Sequence, residues 1–160
     1  MAKLFTALPS LAAGWGRKSE ESGGDIPWTR PATPLRSARV ALVTTGGVHL
    51  KGQPPFDMED PDGDPTWREV PTDALPGACT ITHDYYNHAD ADRDMNLVFP
   101  AQRLTELAER GVIGQLHGSG YSFMGHIEGA HFDTLRAVTA PQVAALLRQA
   151  GVDYALLVPA

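Results

Sequence analysis

Apolar positions recur along this chain at two different spacings, and the changes of spacing mark out its elements. Residues 39–45, "RVALVTT", are an unbroken run of β-branched and apolar side chains, the pattern of a strand buried on both faces. Residues 77–82, "GACTIT", and the final "VDYALLVPA" read the same way, and "VIGQL" at 112–116 reads as a shorter strand. Between them the spacing becomes helical. "FPAQRLTELAERG" puts Leu104 and Leu107 on one face, with Pro100 suited to the first turn and Gly111 to the end. "TAPQVAALLRQAG" turns Val143, Leu146 and Leu147 inward, with Thr139 as a candidate cap and Pro141 near the start. Strands and helices in this order predict an α/β fold with a mainly parallel sheet.

The segments without a period predict loops. Residues 51–71 are proline-rich and read as one long loop. "HGSGYSFMGHIEGAHF" at 117–132 reads as a glycine-rich loop, its "GYSFMG" packing under the sheet edge. Residues 1–37 form an arm or linker, which Trp15 and Trp28 are expected to pin to the body. Its opening "MAKLFTALPSLAAGWGRK" is broken by Thr6, Pro9 and Ser10, so it reads as a short helix or arm rather than a targeting peptide. Residues 38–160 then form one α/β domain, which suits a chain of 160 residues.

Charge and cysteine usage narrow the partners. The formal charge is -6 with no run of Lys or Arg, which argues against nucleic acid and anionic membranes, and no apolar stretch is as long as a membrane span. A single cysteine, Cys79, excludes an internal disulfide and a Cys-rich zinc site and fits a reducing cytoplasm. Lying inside a predicted strand, it reads as an inert core residue.

In open α/β sheets ligands gather at the carboxyl ends of strands. Thr44, Thr45, Gly46, Gly47 and His49 follow the first strand, although the proline-rich continuation does not match a dinucleotide fingerprint. "THDYYNHADADRDMN" follows the second, and three readings of it stand side by side. Histidines beside carboxylates (His83 with Asp84, His88 with Asp90) suit proton transfer near neutral pH. His83 and His88 with Asp90, Asp92 or Asp94, joined by His49, His117 or His126, suit Zn or Fe(II). In a purely architectural reading the aspartates cap the helix near Pro100, while Asp94 and Asn96 hold a turn. Calcium loops starting at Asp60 or Asp90 fail, because their sixth and twelfth positions hold Pro65 and Pro71, or Met95 and Ala101. The loops bearing Gly46, His83 and His117 are expected to wall one cavity, with the terminal strand aimed at its mouth.

Four segments, "VALVTTGGVHLKGQPPFD", "ITHDYYNHADADRDMNLVFPAQRLTELAERGVIGQL", "YSFMG" and "GVDYALLVP", occur in this order. Together they resemble the component B selenoprotein family of glycine, sarcosine, betaine and D-proline reductases, its D-proline branch most of all, over residues 26–159. The resemblance implies a Rossmann-like α/β fold and reductive carbon–nitrogen cleavage of an amino acid or amine. It also implies a pyruvoyl group on a partner subunit that activates the substrate nitrogen, a selenolate or thiolate that attacks the carbon, and a thioredoxin-like or other dithiol that resets the couple. His83, Asp84 and His88 become candidate catalytic residues. Thr44, Thr45, Gly46, Gly47, His49, Asp94, Asn96, His117 and Gly125 become candidates for substrate or partner binding, and no metal is assigned. This sequence departs from the family pattern in that no selenocysteine or cysteine motif follows the strand matching "DYALLVP". That centre is expected after residue 160, through a selenocysteine codon read as a stop or on a second chain. The alternatives are a non-catalytic small-ligand-binding or assembly module of the same fold and a His/Asp-loop metalloenzyme.

Overall fold

The computed structural model describes residues 29–160 apart from Asp84; the expected pinning by Trp15 and Trp28 lies outside the described residues. Within the unit Pro31–Ala160 the first strand, β1 (Arg39–Thr44), is the one that the unbroken apolar run predicts, and it is the centre of the sheet. β7 (Tyr154–Val158) lies parallel to it on one side, with Val40 opposite Tyr154 and Thr44 opposite Val158. On the other side β5 (Gln115–Leu116) and β6 (Ser119–Phe123) follow one another along β1, both parallel to it. β3 (Trp67–Pro71) closes that edge antiparallel to β6. The fold is therefore α/β with a mixed sheet whose central pairings are parallel.

Alternation along β1 assigns its side chains to two cores. Val40 and Leu42 pack with Val48, Ile81, Phe99, Leu104 and Ile113, whereas Val43 packs with Tyr121, Phe123 and Val143. The helix α2 (Ala101–Glu109) brings Leu104 to the first core and ends at Gly111, whose φ of 69° suits a glycine that stops a helix. On the other face α4 (Ala140–Gln149) lays Val143 over Val43 and carries the chain from β6 across β1 to β7. Leu42 is fully buried, which contributes about 1.5–3 kcal/mol relative to exposure.

Several expected elements are corrected. The strand at 77–82 shortens to β4 (Cys79–Ile81) and leaves the main sheet, pairing antiparallel with β2 (Val48–Leu50). The cause is Gly47, whose φ of 66° folds the chain back after β1 and makes "VHL" a strand rather than loop. β3 emerges from the expected proline-rich loop, with Pro71 tolerated at the end of an edge strand. The largest departure is β6, an inner strand where "GYSFMG" reads as loop. Gly120 is there for space, because a Cβ would lie 2.6 Å from the ring of Phe99. After β6, α3 (Gly129–Thr134) runs through a π-helical turn (Leu135–Thr139) directly into α4. Thr139 is therefore a helical residue, with φ -77° and ψ -39°, and not a cap. The short α1 (Ala89–Arg93) is a helix that the polar stretch does not announce.

Candidate functional site

The residues after β1, β4 and β6 meet the end of β7 at one place. Thr44 is buried, and its Oγ1 accepts from Gly46 N at 3.0 Å, tightening the turn. Gly47 N donates to Phe123 O at 2.9 Å, and Thr82 N donates to Gly47 O at 2.9 Å, so this turn ties β6 to the start of the His83 loop. A Cβ on Gly47 would collide with the Thr82 carbonyl and lie 3.2 Å from His83 Cβ. Gly125, at φ 96°, closes the other side. A Cβ there would collide with the Thr45 carbonyl and lie 3.1 Å from His83 Nε2. Thr45 N donates to Val158 O at 3.1 Å, and Ala160 N donates to Thr45 Oγ1 at 3.1 Å. Thr45, Gly46, Gly47, His83 and Gly125 thus come together, and the carboxyl end of β7 reaches them.

His83 is buried, and its Nδ1 accepts from Tyr85 N at 3.0 Å, which places the proton of the neutral ring on Nε2, the nitrogen facing Gly125. Tyr86 stands edge-on to it at 4.7 Å between ring centroids and donates its hydroxyl to Gly46 O at 3.1 Å. Burial, with a smaller contribution from the Asp92 charge, pushes the Tyr86 phenol above its ordinary value, so it remains a donor at neutral pH. Tyr85 is 67% exposed, and its ring is tilted over that of His126 at 4.0 Å. Sequence reasoning passed over both tyrosines as part of this site and offered His126 only as an additional metal ligand. Their adjacency to His83 and Gly125 was the available signal.

Other sequence candidates lie elsewhere. Asp84 is outside the described residues. His88 is more peripheral, 5.8 Å from the Tyr86 ring, and its Nδ1–H donates at 2.7 Å to Asp92 rather than to the expected Asp90, which pairs with Arg93. His49 is buried with both nitrogens engaged: Nδ1–H donates to Leu50 O, so Nε2 accepts from Thr82 Oγ1, each at 2.8 Å. It props Thr82 from behind. His117 is not brought to this place. It sits in a bulge between β5 and β6, where the five-residue step from Leu116 to Tyr121 runs beside the three-residue step from Val40 to Val43. Its amide donates to Val40 O and its carbonyl accepts from Thr72 Oγ1, well before the strand ends. Of the three segments expected to wall one cavity, those of Gly46 and His83 therefore pack together, joined by Gly125, and His117 is not among them.

Asp94 and Asn96 line a different cavity, of about 210 Å³, together with Cys79, Thr72, Phe99 and Gln102. Asp94 accepts from the backbone and side chain of Asn96, hydrogen bonds that hold its carboxyl below the ordinary value. It caps the turn Met95–Leu97, the place the architectural reading gives it with Asn96. Cys79 is buried, which pushes its thiol upward. Among the described residues no group of three or more His, Cys, Asp or Glu side chains gathers closely enough to hold a metal ion. No helix among them is long and apolar enough to cross a membrane.

An α/β domain with a buried histidine packed at the carboxyl ends of its parallel strands is the class this geometry defines. Residues 21–160 match the family glycine/sarcosine/betaine reductase selenoprotein B, and the chain belongs to that family. It is 34% identical over 130 residues to the D-proline reductase subunit gamma of Acetoanaerobium sticklandii, covering 81% of this chain and 52% of that protein. It is 31% identical over 140 residues to the glycine reductase complex component B subunit gamma of Symbiobacterium thermophilum, covering 82% and 30%. To the betaine reductase complex component B subunit beta of Peptoclostridium acidaminophilum it is 28% identical over 131 residues, covering 79% and 29%. The chain thus spans about half the length of the first of these relatives and under a third of the other two. No solved structure matches it.

Proposed function

We propose that this chain supplies the substrate-side wall of a reductase that cleaves a carbon–nitrogen bond in a small amino acid or amine, within a Rossmann-like framework and in the cytoplasm. The observation that carries the reading is the convergence of Thr45–Gly47, His83 and Gly125 on the carboxyl end of β7, where Ala160 N bonds Thr45 Oγ1. The glycines at 47 and 125 let backbone pack against His83 where a Cβ would collide, which fixes the ring beside the end of β7. The relatives' printed names support a place in a multi-subunit reductase.

In this reading a selenolate or thiolate on polypeptide adjoining the end of β7 supplies the nucleophile, and a pyruvoyl group on a partner subunit makes nitrogen a better leaving group. The residues of this chain handle position and proton. Once protonated also on Nδ1, with release of Tyr85 N, the His83 imidazolium is the acid that gives its Nε2 proton to the departing nitrogen, and Asp84 and His88 are its candidate assistants. Tyr86 fixes the Gly46 carbonyl and packs on the His83 ring, holding that ring's orientation. Thr44, Thr45 and Gly47 set the wall against which the substrate lies. Asp94, Asn96 and His117 lie away from this place and are assigned to partner contacts, whereas His49, buried with both nitrogens engaged, supports Thr82. Leu157, 69% exposed on β7, marks a face that a parallel sheet ordinarily has covered; the polypeptide bearing the redox centre is assigned to it.

Two measurements test the proposal. Reading the coding DNA past codon 160 is expected to reveal an in-frame selenocysteine or cysteine motif, or a neighbouring gene that encodes one beside a pyruvoyl-protein precursor. With those components supplied, dithiol-dependent product formation from glycine, betaine or D-proline is expected, and His83→Ala is expected to lower it by about 10²–10⁴-fold. Full activity in His83→Ala would remove the histidine from the mechanism.

A further inference from the structure

The proline- and aspartate-rich residues 57–64 have no part in the chemistry above, yet they are held at both ends. At the base, the buried Asp64 carboxylate accepts from Asp57 N at 3.0 Å, from Thr66 N at 2.7 Å and from the Thr66 hydroxyl. Arg68 lies 3.6 Å from it, donates to Pro54 O and Pro55 O at 2.9 Å each, and covers the ring of Phe56 at 4.3 Å. At the tip, Gly63 forms an antiparallel bridge with Ile127, and Glu128 N donates to Asp62 O at 2.8 Å. Gly63, at φ 83°, is pressed so closely on the His126 carbonyl that no Cβ fits. His131 Nε2–H donates to Asp60 at 3.0 Å and closes the tip onto α3.

The segment held by this tip, residues 125–128, contains two members of the site. Gly125 abuts Thr45 O and His83 Nε2, and the ring of His126 stacks on Tyr85, whose amide holds His83 Nδ1. A continuous path of contacts therefore runs from the partly exposed Asp60–His131 pair to the buried imidazole of His83.

We propose that residues 57–64 are a strap whose tip, clasped by Asp60 to His131, sets the position of His126 and Tyr85 at the mouth of the His83 site, and that deprotonation of His131 loosens it. Asp60 and His131 are positioning residues in this scheme. The proposal concerns regulation of the site assigned above and rests on that assignment for its functional meaning. The charged and titratable groups facing His131 are Asp60, Asp62 and Asp64, and those facing Asp60 are His131 and His126. The hydrogen bond to Asp60 holds His131 above the ordinary histidine value, and the same bond holds Asp60 below the ordinary carboxylate value. The clasp is thus fully formed below the ordinary histidine value and loses its charge as pH rises through the elevated His131 value.

The test is nuclear magnetic resonance on the full chain without ligand, between pH 5 and 9. In the wild type, the Tyr85 ring and Gly125 amide signals are expected to show an inflection at the pH at which His131 titrates. Amide exchange at Gly63 and Glu128, corrected for its intrinsic pH dependence, is expected to accelerate several-fold above that pH. Asp60→Asn should lower the His131 midpoint and carry the Tyr85 inflection with it; His131→Gln should abolish the inflection. Tyr85 and Gly125 signals that ignore the His131 titration, or exchange rates unchanged across it, would overturn the strap. Because no substrate or redox partner is present, this outcome is independent of whether the reductase reading stands.

Discussion

Replacing Gly125 by alanine puts the close packing of the cleft to its hardest test. At φ 96° an L-residue is strained, and placing one in left-handed backbone costs about 1–2 kcal/mol. The added methyl also meets the Thr45 carbonyl oxygen well inside contact distance and His83 Nε2 at 3.1 Å. Backbone on one side and a buried ring on the other leave little room to yield, and overpacking of this kind costs roughly 1–3 kcal/mol. Together these give about 3 kcal/mol, a drop in Tm of roughly 10 °C for a domain of this size. Gly118→Ala and Gly52→Ala are matched controls, since a Cβ at either meets nothing within 4 Å; they should change stability by less than about 0.5 kcal/mol. Urea and thermal melts followed by circular dichroism measure the difference, and the His83 ring signals report whether the cleft has moved. If Gly125→Ala melted within about 2 °C of the controls with His83 unshifted, the argument that Gly125, Thr45 and His83 are in close contact would be refuted.

Arg68→Ala should cost about 2–3 kcal/mol in urea unfolding, because it leaves the Pro54 and Pro55 carbonyls unpaired and uncovers Phe56, and Arg68→Lys should recover less than half. For Asp64, burial alone would raise the carboxyl pKa, but hydrogen bonds from Thr66 and Asp57 and the Arg68 charge outweigh it and hold the folded value below 3.8. Its contribution is therefore present above that ordinary value and lost as pH falls through the lower folded one. Asp64→Asn should flatten the acid limb of the stability curve, and an unchanged limb would count against these bonds. Cys79, buried with its thiol pushed upward, should react with a soluble disulfide reagent at pH 8 at least about tenfold more slowly in the folded than in the urea-unfolded chain; equal rates would overturn its assignment to the core.

Much of the framework was legible because its signals are local. The unbroken apolar run of β1, the helix from Ala101 closed by Gly111, and the final strand each carry their pattern within a few residues. β6 was not legible. "SGYSF" owes its place in the sheet to a glycine that admits the ring of Phe99 and to aromatic side chains completed by Trp67 and Val143, partners distant in the chain. The same holds for β3 and β2, which are strands because β6 and β4 lie beside them.

The site divides along the same line. Composition and order of residues alone marked the Gly46 turn and the His83 stretch, because small residues and imidazoles after apolar strands fall where parallel sheets leave their ends open. Only the tertiary structure showed His83 packed against Gly47 and Gly125, His49 bonded behind Thr82 and His117 in a bulge away from both. A histidine's role is set by what stands within a few ångströms of its two nitrogens, and that depends on the register of strands far apart in the chain.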